Sequence, residues 1–191
     1  MRKLLLHTCC GPCTTYVHKS LVDQGFEVKG LFYNPNIRPR EEYEKRLLMM
    51  EYYATAVGLK VIYQPNDLEL EPGNCENCYR VRLRRTAQFA RDLAYDCFST
   101  TLLISPFQKH ELLRQIGEEI GKESGIPFYY QDFRIGYRES RQMAKKFNLY
   151  MQKYCGCDPH PLTLNRPPSP SKMERGIKGV RKKEASYAKV S

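Results

Sequence analysis

Apolar and polar positions alternate along this chain in blocks that read as strand, helix, strand, helix. Residues 3–8 (KLLLHT) form a short apolar run of the kind that makes a buried strand. The segment Cys9-Cys10-Gly11-Pro12-Cys13 follows, then a helical stretch that stops near Gly25. Residues 26–33 (FEVKGLFY) predict a second strand, ended by Asn34-Pro35-Asn36. In residues 41–57, Tyr43, Leu47, Met50, Ala54 and Val57 recur at helical spacing, and Gly58 ends the run.

Residues 59–63 (LKVIY) predict a third strand, and a polar loop then leads to Cys75-Glu76-Asn77-Cys78. A helix is expected from about 79 to 94, a fourth strand over 96–104, and a helix over 109–124. A fifth strand over 126–131 and a helix over 137–147 complete the pattern before Tyr154-Cys155-Gly156-Cys157-Asp158-Pro159. Strands and helices that alternate this way argue for right-handed βαβ units. The expected fold class is α/β, a Rossmann-like parallel sheet of about five strands with flanking helices.

In such sheets ligands bind outside the carboxyl ends of the strands. That rule gathers distant segments. Cys9 to Cys13 follow strand one, Cys75 and Cys78 follow strand three, and Gln131-Asp132-Phe133-Arg134 follows strand five. All are expected at one edge.

Composition adds two facts. The 191 residues include 8 cysteines and carry a net charge of +10. The charge is uneven. Residues 166–191 hold eight Lys/Arg against two acids, a net +6, and open with Arg166-Pro167-Pro168-Ser169-Pro170, which continues neither helix nor central strand. A body over 1–165 and a basic arm over 166–191 are expected. With no stretch of 18 uncharged apolar residues, no transmembrane helix is expected. The apolar run behind Met1-Arg2-Lys3 is too short for a signal peptide, so the expected compartment is the cytoplasm. Clustered cysteines there more often bind metal or do redox chemistry than staple a fold.

The excess of basic charge points to a polyanion. The run Arg80, Arg82, Arg84 and Arg85, with Lys178, Arg181, Lys182 and Lys183 of the arm, are the candidate phosphate contacts. Tyr33, Tyr79 and Phe107 lie near the predicted edge, where stacking on nucleobases is one role and packing is the other.

Seven cysteines fall into three groups, 9/10/13, 75/78 and 155/157; Cys97 stands alone in a strand and reads as a core thiol. Two thiolates from each of the first two groups would make a four-sulfur site, which suits either structural zinc or an iron–sulfur cluster. Spacing does not separate the two. Cys155 and Cys157 could form a strained, reducible disulfide or, with Asp158 and Cys13, hold a second metal. A structural zinc site would leave Cys13, Cys155 and Cys157 without a role.

Leu6-His7-Thr8-Cys9-Cys10-Gly11-Pro12-Cys13, then Cys75-x2-Cys78-Tyr79-Arg80-x-Arg82, then Tyr154-Cys155-Gly156-Cys157 resembles the QueH-type epoxyqueuosine reductase family, in order, over about residues 1–160. Tyr33-Asn34-Pro35-Asn36-Ile37 and Ser105-Pro106-Phe107-Gln108 also resemble it. The resemblance implies a fold akin to the adenine nucleotide α-hydrolase group and the last step of queuosine biosynthesis. In that step epoxyqueuosine at the wobble position of a tRNA loses its epoxide oxygen. It further implies Cys9, Cys10, Cys75 and Cys78 as ligands of a [4Fe–4S] cluster, Cys155 and Cys157 as a redox-active pair, and an electron donor as partner. No ATP binding is expected, because Pro12 lacks an N–H and only Gly11 is glycine where a phosphate loop would stand.

Removing the oxygen also needs a proton donor, and Asp132, Asp158, His7 and His110 are the candidates. Two rival readings are a zinc-stabilised RNA-binding module, which leaves the Cys-x-Cys pair unexplained, and a thiol–disulfide oxidoreductase, which leaves the basic arm unexplained.

Overall fold

The computed structural model describes residues 1–65, 70, 73–152 and 154–156. The basic arm, Cys157 and Asp158 lie outside the described residues. Four parallel strands form one sheet in the order β3-β2-β1-β4: β1 Arg2–Thr8, β2 Phe26–Phe32, β3 Val61–Tyr63 and β4 Cys97–Thr100. The central strand β1 pairs with β2 from Arg2↔Phe26 to Thr8↔Phe32 and with β4 from Leu4↔Cys97 to His7↔Thr100. Leu4, Leu5 and Leu6 are fully buried, as befits a strand covered on both faces.

Helices α1 (Gly11–Asp23), α2 (Arg40–Val57) and α3 (Cys75–Asp92) make the crossovers, and α4 (His110–Ser124) and α5 (Tyr137–Lys146) follow. The chain steps outward from β1 to β2 to β3, then returns past β1 to lay down β4. Right-handed crossovers therefore put α1 and α2 on one face and α3 on the other. Accordingly α1 packs on α2 and α5, and α3 packs on α4. The reversal makes the gap between β1 and β4 a topological switch point.

The glycine stops hold: Gly58 and Gly125 end α2 and α4 at φ 70° and 71°, in the left-handed region that glycine enters without a Cβ penalty. Three expectations need correction. The fifth strand is absent among the described residues; one parallel bridge, Phe98↔Phe128, takes its place. Pro127 cannot donate to a ladder, and β4 offers no edge beyond Thr100, because Thr101–Ile104 turn into a 3-10 helix whose Leu102 N–H donates to Thr100 Oγ1 at 3.1 Å. Helix α3 begins at Cys75 rather than 79, since Asn74 caps it by accepting from Asn77 N–H at 3.0 Å. In α2 the inward face carries Glu42 and Arg46 beside Met50, Tyr53 and Ala54, while Val57 is exposed.

Candidate active site: buried thiols at the switch point

β1 ends at Thr8, and Cys9 is the one residue between the strand and the N-cap of α1, which is Cys10. Pro12 suits the first turn, where a missing N–H leaves no bond unmade. The tight turn brings the sulfurs of Cys9, Cys10 and Cys13 within 4.8 Å of one another, all buried. Across the switch point, Thr101 after β4 accepts from Cys9 N–H at 3.0 Å and donates to Cys9 Sγ at 3.3 Å. Gly11 is dictated by packing: a Cβ there would stand 2.6 Å from the Met49 carbonyl oxygen.

The thiols do not titrate independently. Hydrogen bonds from Cys13 and Cys9, then the positive charge of Arg46, hold the Cys10 pKa well below the usual thiol value, against the burial that opposes it. Its thiolate in turn raises Cys9, and pushes Cys13 up to about 12. Gln152 Nε2 donates to Cys10 Sγ at 3.3 Å, and Arg141 Nη2 faces Cys13 Sγ at 3.7 Å.

Cys75 and Cys78 occupy the first turn of α3. They pack against the core that contains Cys9, Cys10 and Cys13. Asn36 Nδ2 donates to Cys78 Sγ at 3.1 Å, and Asn36 Oδ1 accepts from buried Arg82. The positive charge of Arg82 also acts on His7, after burial, to lower the imidazole pKa to about 3.

The segment bearing Cys155 arrives from the other side. Arg46 donates to the Cys155 carbonyl at 3.0 Å and the Tyr154 carbonyl at 3.3 Å, and its Nε pairs with Glu42 at 2.6 Å. Cys155 is exposed, and its charge is felt at Tyr79 together with those of Cys75 and Cys78.

The charge inventory tests whether a thiolate-held metal group suits this place. Among the described residues two guanidiniums are buried, Arg46 and Arg82, against one buried carboxylate, Glu42. A buried cation without a counter-charge is strongly disfavoured. The Cys10 thiolate supplies negative charge beside Arg46, and three sulfur donors in one buried place suit a soft metal or cluster.

Other expected residues fall as follows. His7 is fully buried; its Nε2–H must donate to the Tyr33 carbonyl at 3.1 Å, leaving Nδ1 to accept from Thr100 at 2.9 Å. With a pKa near 3 it carries no proton to give at neutral pH. His110 is bonded to the Leu103 carbonyl, and its pKa is lowered by burial. Asp132 N-caps the 3-10 helix Phe133–Gly136 and pairs with Arg134 at 2.6 Å; despite burial, Arg134 holds its pKa below the usual range. It is a capping carboxylate.

Of the four arginines expected on phosphate, Arg82 is buried and serves Asn36. Arg80 pairs with Glu76 and Glu119, Arg84 pairs with Glu123, and Arg85 bonds Gln64 and lies over the Tyr33 and Phe89 rings. Tyr33 and Tyr79 are buried, the latter bonded to Gln108; only Phe107 of the three aromatics is open, edge-on to Tyr137. Sequence reasoning passed over Arg46, Glu42, Asn36, Thr101, Arg141 and Gln152. The signal available was adjacency to the Cys155 motif at Gln152 and membership of the Tyr33-Asn34-Pro35-Asn36-Ile37 segment at Asn36, with nothing at Arg46.

A family model described as "Epoxyqueuosine reductase QueH" matches residues 4–158. The chain belongs to the QueH epoxyqueuosine reductase family. Among curated relatives of that name, the Dehalococcoides mccartyi protein is 40% identical over 164 residues, spanning 81% of this chain and 90% of its own. The Thermotoga maritima protein is 35% identical over 82% of this chain and 89% of its own, and the Streptococcus pyogenes protein 33% over 81% and 68%. A solved Methanocaldococcus jannaschii protein described as a predicted subunit of tRNA methyltransferase overlays at a TM-score of 0.45, with 12% identity over 76% of this chain and 75% of that one. QueH proteins are thus a family of oxidoreductases. Among the described residues no helix is long and apolar enough to cross a membrane.

Proposed function

We propose that this chain removes the epoxide oxygen of epoxyqueuosine at the wobble position of a tRNA and leaves queuosine. The observation that carries the reading is the group of three buried thiols at the switch point, in a chain of this family. The reaction breaks both C–O bonds of the epoxide and forms a C=C bond. It consumes two electrons and two protons, and the oxygen departs as water.

Cys9, Cys10, Cys75 and Cys78 are the proposed ligands of a [4Fe–4S] cluster, which when bound would supply electrons one at a time. Arg46 offsets the Cys10 thiolate charge, Thr101 and Asn36 donate to the sulfurs of Cys9 and Cys78, and Gln152 donates to Cys10. Cys155 and Cys157 are the proposed redox pair, and Cys13 and Asp158 are proposed as further members of that centre; a second metal on these residues is the rival to a disulfide. His7, His110 and Asp132 are each committed elsewhere, which leaves Asp158 as the proposed proton donor. The tRNA backbone is assigned to Arg80, Arg84, Arg85 and, from the arm, Lys178, Arg181, Lys182 and Lys183; Phe107 is the open aromatic for a splayed base.

The test is oxygen-free purification, iron and sulfide analysis, and incubation with a reductant and tRNA bearing epoxyqueuosine, followed by mass spectrometry of the nucleosides. Brown protein with about four irons per chain and queuosine as product are expected. A colourless protein carrying one zinc, or no loss of the epoxide oxygen, would overturn the reading.

A further inference from the structure

The Arg46 guanidinium is in contact with three groups at once. Its Nε bonds Glu42 at 2.6 Å, its Nη1 the Cys155 carbonyl at 3.0 Å, and its Nη2 the Tyr154 carbonyl at 3.3 Å. Both partners of the ion pair are sealed from water, with side chains 4% and 3% exposed. Tyr150 O–H bonds the other Glu42 oxygen at 2.9 Å, so the carboxylate is itself held in place. On the far side, Arg38 N–H donates to the Gly156 carbonyl at 2.6 Å. Three consecutive carbonyls, of residues 154, 155 and 156, are therefore fastened to α2 and the residues before it.

Gly156 completes the fit. It sits at φ 100°, and a Cβ on it would stand 2.8 Å from both Nη atoms of Arg46. Only glycine lets the backbone close over the guanidinium. A planar fork with donors at fixed angles is suited to two successive carbonyls in a way an ammonium is not. The same guanidinium lies close enough to Cys10 and Cys9 for their charges to act on it. One side chain thus links the thiol group after β1 to the backbone of Cys155.

We propose that Arg46, braced by Glu42, is a positioning residue that fixes the Cys155 segment against the Cys9/Cys10/Cys13 thiols so that the two cysteine groups work as one centre. The inference rests on the proposed reductase reading for its catalytic consequence, but not for its mechanical one. Arg46 acts through Cys155 and touches no substrate.

The test compares the metal-loaded wild type with Arg46→Lys and Gly156→Ala. Lysine keeps the charge beside Glu42 and loses the fork; alanine keeps the fork and blocks the backbone. The first readout is chymotrypsin cleavage after Tyr154, followed by mass spectrometry, because the carbonyl of that bond is one that Arg46 holds. Cleavage tracks the open population, so loss of charged hydrogen bonds should raise it by at least about tenfold in either variant. The second readout is turnover at matched iron content: kcat should fall on the order of a hundredfold with KM for tRNA unchanged, as misplacement by an ångström does. Lysine should not rescue. Unchanged cleavage in both variants, or full kcat in Arg46→Lys, would overturn the proposal. If the wild type itself does not reduce epoxyqueuosine, the reductase reading fails while the cleavage ratio still decides the clamp.

Discussion

Glu42→Ala probes the buried pair that organises the site. The substitution removes the acceptor of Arg46 Nε at 2.6 Å and of Tyr150 O–H at 2.9 Å. Breaking a buried ion pair from one side costs about 3–5 kcal/mol, because the remaining charge stays buried and uncompensated. Arg46 keeps its bonds to the Tyr154 and Cys155 carbonyls, which argues for the lower end. The lost Tyr150 bond adds about 1 kcal/mol. A total of about 4 kcal/mol is a large part of a stability that ordinarily lies near 5–15 kcal/mol.

For a chain of this length each kcal/mol moves Tm by about 2–4 °C, so a fall on the order of 10 °C is expected. The assay is thermal unfolding by circular dichroism at fixed scan rate, without oxygen, on samples of equal iron content. The double variant Glu42→Ala/Arg46→Met removes both charges, and its Tm should fall no further than that of Glu42→Ala alone. A single-variant shift below about 2 °C, or strictly additive losses in the double, would show that the pair is not the desolvated couple described.

Gly117→Ala would drive a Cβ into the ring of Phe128 and should cost about 1–3 kcal/mol. Hydrogen exchange should then speed up at the Tyr129 amide, which donates to the Phe98 carbonyl at 2.7 Å, and unchanged protection would refute the clash. His7 titrates near 3 folded and 6.5 unfolded, so the unfolded chain binds the extra proton between those values. Stability therefore falls as pH drops from 6.5 towards 3, by about 2 kcal/mol at pH 5, and His7→Gln should lose that slope in urea titrations. Cys97→Ala should leave iron content and turnover unchanged, whereas Cys75→Ser should abolish both; iron retained in Cys75→Ser would remove that residue from the ligand set. Deleting residues 166–191 should weaken tRNA binding and flatten its dependence on salt, read from filter binding at several salt concentrations.

Much of the fold was legible because apolar runs and helix stops are local. The run LLLHT, residues 4–8, is buried in a central strand, and Gly58 and Gly125 stop helices where the pattern said they would. The strand over 126–131 failed for a non-local reason: a strand needs a neighbour, and β4 had already turned into a 3-10 helix. The start of α3 was legible but overlooked, since Asn74 is a good N-cap three residues before Asn77.

The site divides along the same line. Cysteines cluster in sequence because adjacent thiols are brought together by a turn, so 9/10/13 could be read directly. Arg46 could not. On a helix carrying Arg40, Glu41, Glu42, Glu44 and Lys45, one more Glu/Arg pair at i,i+4 reads as a solvated face. What turns that pair inward is the arrival of residues 154–156 over α2, a contact 108 or more positions away. The same blindness affected the basic run of α3. Arg80 and Arg84 point at Glu119 and Glu123 of α4, while Arg82, half a turn round, points at Asn36, which donates to Cys78 Sγ. Net charge showed that an anion was to be expected, and for Arg80 and Arg84 the nearest anions turned out to be carboxylates of α3 and α4. A basic count next to a cysteine motif thus carries two meanings, an ion-paired face outside and a bond network reaching the thiols inside, and only the rotation of the helix decides between them.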